Sequence, residues 1–136
     1  MISTRARYAL RILVDLAEHD DGLPIPMKEI AERQELSLKY VERILPLLVK
    51  EGLVTGVHGK GGGYRLMKAP EDLTVWEVLL VAEGEMAPVA CLSKDAPNCT
   101  RSPDCRTLPV WKRYYEITEE YFSSLTLRDL MKTGHE

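Results

Sequence analysis

The chain has 136 residues, 45% of them hydrophobic, enough for one compact domain or a small domain with an oligomerisation element. No apolar run approaches the ~20 residues of a membrane span, and the basic start is interrupted by Arg11, Asp15 and Glu18 with no cleavage site after it, which predicts no membrane partner and a cytoplasmic protein. The net charge of −3 argues against a nucleic-acid partner until its distribution is read: residues 1–65 hold ten Lys/Arg against nine Asp/Glu, and residues 66–105 three against seven. A basic face is therefore possible only in the amino-terminal half.

Ser3 or Thr4 can cap a first helix whose apolar positions Ala6, Ala9, Leu10, Leu13, Val14, Leu16 and Ala17 recur at helical spacing. Arg5, Arg7 and Arg11 cluster near its start, the end where the helix dipole disfavours cations. Either an anionic group sits nearby or they form a solvated face. After the turn at Gly22–Pro26, a short helix over Met27–Gln34, a three-residue break and a helix from Leu38 to about Glu51 are predicted. Ser37 caps the latter, and Ile30, Ala31, Leu38, Val41, Leu45 and Leu48 are expected to form the buried seam. This is the arrangement of helix-turn-helix DNA readers, although any αα-corner shares it.

The next stretch strengthens that reading. Gly52–Val57 reads as a strand, His58–Gly63 as a glycine-rich tip and Tyr64–Met67 as the returning strand, a β-hairpin wing directly after the second helix. Lys60, His58 and Arg65 charge the tip, and its glycines permit close approach to a backbone. A nucleotide-phosphate loop is disfavoured, because such a loop leads into a helix and this one leads into a strand.

Asp72 or Thr74 then caps an apolar helix over Val75–Glu83. A polar segment follows that contains every cysteine of the chain: Cys91, Cys99 and Cys105, in the pattern C-x7-C-x5-C. In a reducing compartment, clustered cysteines point to metal binding or redox chemistry rather than disulfides. Three thiols suit soft metals and iron–sulfur clusters; a structural zinc would want a fourth ligand, and His19, His58 and His135 are remote. A thiol redox switch stays open. From Pro109 a long helix to about Ser124 carries Trp111, Tyr114, Tyr115, Thr118, Tyr121 and Phe122 in a wide stripe, which predicts a dimer interface with aromatic anchors over packing within one monomer. Thr126–Leu130 adds a last short helix. No Ser/His/Asp or Cys/His set and no paired carboxylates favour an enzyme.

The blocks Ala6–Leu10, Ile30–Arg33, Ser37–Glu42, Gly52–Val54, Gly59–Tyr64 and Thr126–Leu130, at their spacing, resemble the IscR/NsrR/CymR (Rrf-type) family of bacterial winged-helix regulators over residues 1–131. The resemblance implies a mainly α fold with a small β-hairpin wing: a winged helix-turn-helix DNA-binding domain over 1–83, a cysteine loop over 84–105, and a dimerisation helix and tail over 106–136. It implies a homodimer that binds double-stranded DNA. Ser37, Lys39, Tyr40 and Arg43 would face the groove, Glu42 would set specificity, and His58, Lys60, Gly61 and Arg65 would form the wing contact. Cys91, Cys99 and Cys105 would hold a [2Fe-2S] or [4Fe-4S] cluster. Two departures stand out: His58 replaces the usual arginine, and the fourth ligand has no match. Leu108 replaces the histidine that IscR-like proteins place three residues after the last cysteine, and Tyr8 stands where NsrR-like proteins can use an acidic residue near the start of the first helix. CymR-like members lack the cysteines and act through a partner enzyme of cysteine synthesis, which implies a possible protein partner instead of a cluster.

Overall fold

A computed structural model describes residues 2–96 and 102–132. Six helices and one hairpin follow in the order α1 (Thr4–Glu18), α2 (Met27–Gln34), α3 (Leu38–Lys50), β1 (Val54–Val57), β2 (Gly63–Leu66), α4 (Val75–Glu83), α5 (Leu108–Ser123) and α6 (Leu127–Leu130). The helix starts follow local chemistry. Ser3 accepts a hydrogen bond from the Ala6 amide, Ser37 from the Tyr40 amide, and Thr74 from the Glu77 amide in a full capping box. Helix α4 stops at Gly84, whose φ of 77° is open to glycine at little cost.

The core lies where α1, α3 and α4 meet: Ile12, Leu13 and Leu16 from α1, Ile44, Leu45 and Leu48 from α3, and Val78 and Leu79 from α4. Leu38 does not join the expected seam. It is the first residue of α3 and stays 44% exposed, whereas Ile44, nearly two turns further in, is buried beside Val41, Leu45 and Leu48. The other departure is Asp15, which interrupts the apolar run of α1 and is nevertheless completely buried.

The hairpin is antiparallel, with Val54 opposite Leu66 and Val57 opposite Gly63. A third piece of backbone joins it: the Tyr64 amide donates to the Ile25 carbonyl at 2.8 Å, and the Ile25 amide to the Tyr64 carbonyl at 2.9 Å. The turn before α2 is thereby tied to the wing. At the far end, α6 is clamped to the start of α4 by Val75 N–H to Leu125 C=O (2.9 Å) and Leu127 N–H to Leu73 C=O (3.0 Å), with Leu127 buried.

Candidate nucleic-acid interface

Helices α2 and α3 are joined through Glu35, which takes the left-handed conformation at φ 54°, and Leu36, which is buried. The turn therefore re-aims the chain while one side chain anchors it. Burial of Val41, Ile44, Leu45 and Leu48 turns one side of α3 inward, and Lys39, Tyr40, Glu42 and Arg43 remain exposed, with Ser37 exposed at the cap. All five sequence-selected residues of this helix thus cluster around its first two turns. The amino-terminal end of a helix carries partial positive charge and unpaired amides, which favours an anionic neighbour such as a phosphate.

Beside it stands the wing. His58, Lys60 and Gly61 are exposed at its tip, and Gly59 and Gly61 have φ values of 88° and 78°. Arg65 is different: it is only half-exposed, and its Nη2 lies 3.3 Å from Asp20 Oδ1. That ion pair links the wing to the end of α1.

The three arginines at the start of α1 find partners within the fold. Arg5 Nε donates to the Ala82 carbonyl at 2.9 Å, at the negative end of α4. Next to it, Glu83 accepts from the Ser3 amide at 3.1 Å and from the Ser3 hydroxyl. Arg7 donates to Thr4 Oγ1 at 3.0 Å, and Arg11 to the Gln34 carbonyl and, at 3.3 Å, to Gln34 Oε1.

The cysteine segment begins at a built bend. Glu85 accepts hydrogen bonds from the Ala87 amide (3.0 Å) and the Lys94 amide (2.9 Å), and these bonds hold its carboxyl below the usual range. Cys91 is exposed on a single 3-10 turn over Ala90–Leu92. Cys105 is half-buried just before α5, with its Sγ 3.5 Å from Thr107 Oγ1. Cys99 lies outside the described residues, among which no group of three or more His, Cys, Asp or Glu is gathered as metal ligands.

No residue of α5 is fully buried. Its stripe divides in two. Tyr115, Thr118 and Phe122 turn partly inward, Tyr115 with its ring 6.1 Å from that of Trp76. Burial and the nearby Glu85 and Glu119 raise the pKa of its hydroxyl. Trp111, Tyr114 and Tyr121 face out together with Val110 and Ile117; Val110, Tyr114 and Tyr121 are each more than half exposed, at 57, 56 and 59%. The spacing of Val110, Tyr114, Ile117 and Tyr121 is that of a helix–helix seam. Tyr114, Ile117 and Tyr121, with Trp111, edge a cavity of about 620 Å³ between α5 and the segment 83–89.

Two relationships were not foreseen from sequence: the pairing of Asp15 with Arg33, and the edge-to-face contact of Tyr8 with Tyr40. A charged residue inside an apolar helical stripe was the only available signal for the first. No helix among the described residues is long and apolar enough to cross a membrane.

A family model described as Rrf2, iron-dependent transcriptional regulator, matches residues 2–133. Protein rrf2 of Nitratidesulfovibrio vulgaris (strain Hildenborough) is 37% identical over 131 residues, which cover 96% of this chain and 87% of that protein. Among solved structures, CymR, the global cysteine regulator of B. subtilis, superposes with a TM-score of 0.76 at 34% identity, covering 96% of this chain and 95% of that one. T. potens IscR superposes with a TM-score of 0.74 at 31% identity, covering 99% and 94%. Family and relatives alike are transcriptional regulators rather than enzymes, and the winged-helix fold expected from the sequence is the one observed. The chain belongs to the Rrf2 family of transcriptional regulators and is of the IscR/CymR type.

Proposed function

We propose that the protein is a homodimeric, cytoplasmic DNA-binding regulator that reports iron–sulfur, redox or nitric oxide status through Cys91, Cys99 and Cys105. The observation that carries the dimer is α5: sixteen residues without one fully buried side chain, and with an exposed aromatic and aliphatic seam. A helix of this kind needs a second surface, and a second copy offers the same seam. Ser37, Lys39, Tyr40 and Arg43 would enter the major groove, with Glu42 selecting among sites, while His58, Lys60, Gly61 and Arg65 approach the backbone. The observed Asp20 partner of Arg65 makes that residue the weakest of the wing contacts.

The donor chemistry of the cysteine segment fits a cluster. Cys91 is exposed on its tight turn, Cys105 is half-buried at the foot of α5, and both are soft thiol ligands. Cys91, Cys99 and Cys105 would hold the cluster, which when bound supplies a centre reactive toward oxidants and nitric oxide. Glu85 holds the start of the loop through the amides of Ala87 and Lys94, and Cys105 stands at the foot of α5, so a change at the thiols would act on that helix. In a dimer, a shift of α5 changes the separation of the two recognition helices, and with it the fit to half-sites one helical turn apart.

The test is anaerobic reconstitution. The expected result is visible charge-transfer absorption with matched iron and sulfide, lost when any one of the three cysteines becomes Ala, and a dimer on size-exclusion. Colourless protein without iron or sulfide overturns the cluster reading. It would leave the alternative favoured by the likeness to CymR, a regulator controlled by thiol redox state or by a protein partner of sulfur metabolism.

A further inference from the structure

We propose that Tyr8 is a positioning residue for DNA reading: it does not itself read the groove but holds the ring of Tyr40 in the orientation from which Tyr40 does. The inference rests on the reading of α3 as the recognition helix.

Tyr40 is the third residue of α3, on its exposed face. Its backbone is pinned, because its amide donates to Ser37 Oγ at 3.2 Å. Its side chain is pinned separately and from another helix: the ring of Tyr8, on α1, lies 5.1 Å away centroid to centroid at an interplanar angle of 73°, an edge-to-face pair. Tyr8 is held in turn. The guanidinium of Arg11 stands 5.4 Å from its ring centroid, a cation over an electron-rich face. Arg11 is fastened to both the backbone carbonyl and the side chain of Gln34, the last residue of α2, and Gln34 Nε2 donates to the buried carboxylate of Asp15 at 3.0 Å. A continuous set of contacts therefore runs from a fully buried charge to a ring at the entrance of the recognition helix.

An exposed tyrosine on a helix surface normally samples several rotamers, and ordering it on binding costs affinity. Here the ordering is already done in the free protein, with the hydroxyl of Tyr40 left to donate to a phosphate or a base edge. Tyr8 is half-buried: its ring also packs against the edge of the core, whose fully buried members on the same helix are Ala6, Ala9, Ile12 and Leu13.

The experiment is a double-mutant cycle in DNA binding. The full-length protein first selects a duplex from random sequence, and affinities for that duplex are then measured at one fixed salt concentration. Tyr8→Ala is expected to weaken binding roughly three- to ten-fold, about the cost of ordering the one side chain that the aromatic pair holds in place. Tyr8→Phe should bind as the wild type, since the ring alone makes the contact. In the Tyr40→Ala background, Tyr8→Ala should cost nothing further. A role in folding alone would lower affinity by the same factor in both backgrounds, and that result overturns the proposal. So does wild-type affinity of Tyr8→Ala. Should Tyr8→Ala lose its thermal transition, Tyr8→Leu, which keeps apolar bulk on α1 but has no ring, takes its place with the same expected loss. Arg43→Ala separates this inference from the reading beneath it. If Arg43→Ala weakens binding and Tyr8→Ala does not, the positioning role alone is wrong; if neither weakens it, or no duplex is selected, α3 is not the recognition helix.

Discussion

Arg33 of α2 donates two hydrogen bonds to the carboxylate of Asp15 on α1, 3.0 Å from Nε and 2.7 Å from Nη2, at a point where Asp15 has no solvent-accessible surface. Gln34 Nε2 supplies a third at 3.0 Å. A buried carboxylate is costly to desolvate, and a bidentate guanidinium offsets that cost only while it stays in place. The pair therefore acts as a lock between the first helix and the helix-turn-helix.

Removing the cation alone should be worse than removing both charges. Arg33→Ala is expected to lower stability by about 2 to 3 kcal/mol in urea unfolding, towards the low end for a buried pair because the arginine is partly exposed. Arg33→Lys should recover only part of this, since an ammonium cannot make the fork. The double substitution Asp15→Leu with Arg33→Met should lie near wild type. Equal losses for the single and the double variants would show that the charge pair is not the source.

Where the wing meets the 24–26 turn, the close approach is made at Gly63. A Cβ there would lie 2.3 Å from the carbonyl carbon and oxygen of Ile25 and 2.7 Å from Pro26 N, so backbone must separate from backbone. Gly63→Ala is expected to cost about 2 to 4 kcal/mol and to detach the wing from the 24–26 turn, because Tyr64 then loses its two bonds to Ile25. Gly59→Ala should cost only about 1 kcal/mol, since that site is open space and the penalty is its φ of 88°. Thermal melts of the two variants side by side decide the matter; equal shifts would remove the steric argument.

Pro46 sits inside α3 with no amide hydrogen to offer the Glu42 carbonyl. Pro46→Ala should supply that bond and raise stability by about 1 to 2 kcal/mol, less than the full helix penalty because alanine also frees the unfolded chain. The check is the chemical-denaturation midpoint at unchanged slope. A lower midpoint would mean that the helix depends on the shape imposed by the proline.

Acid should unfold the protein partly through Glu77. Burial pushes its carboxyl up, but the bonds from Lys68 Nζ at 2.8 Å and from the Thr74 amide at 3.4 Å outweigh this and hold it below the ordinary 4.5. A depressed carboxylate contributes stability that is fully present above its unfolded value and is lost as pH falls through the folded one. Glu71 is shifted the same way, first by a hydrogen bond from its own backbone and then by Arg128 at 3.1 Å. Stability should therefore hold from neutrality down to about pH 4.5 and decline below it. Glu77→Gln should flatten part of that decline, and a variant with an unchanged acid limb would assign the effect elsewhere.

What the sequence determined by itself was the inventory of elements and their ends. Ser3, Ser37 and Thr74 act within one turn of their own positions, and the 3.6-residue period of α3 and the glycines of the wing are equally local signals. The residues bearing the expected interface, from Ser37 to Arg43 and from His58 to Gly61, could be picked out for the same reason. Only the tertiary structure decided which polar residues those elements would consume. Asp15 meets Arg33 across 18 positions, Tyr8 meets Tyr40 across 32, and Ile25 finds Tyr64 across 39, and none of these separations leaves a periodic trace. The same holds for α5, whose wide stripe reads as one face in sequence. It is the packing of Tyr115 against Trp76 that turns half of the stripe inward and leaves Val110, Tyr114, Ile117 and Tyr121 uncovered.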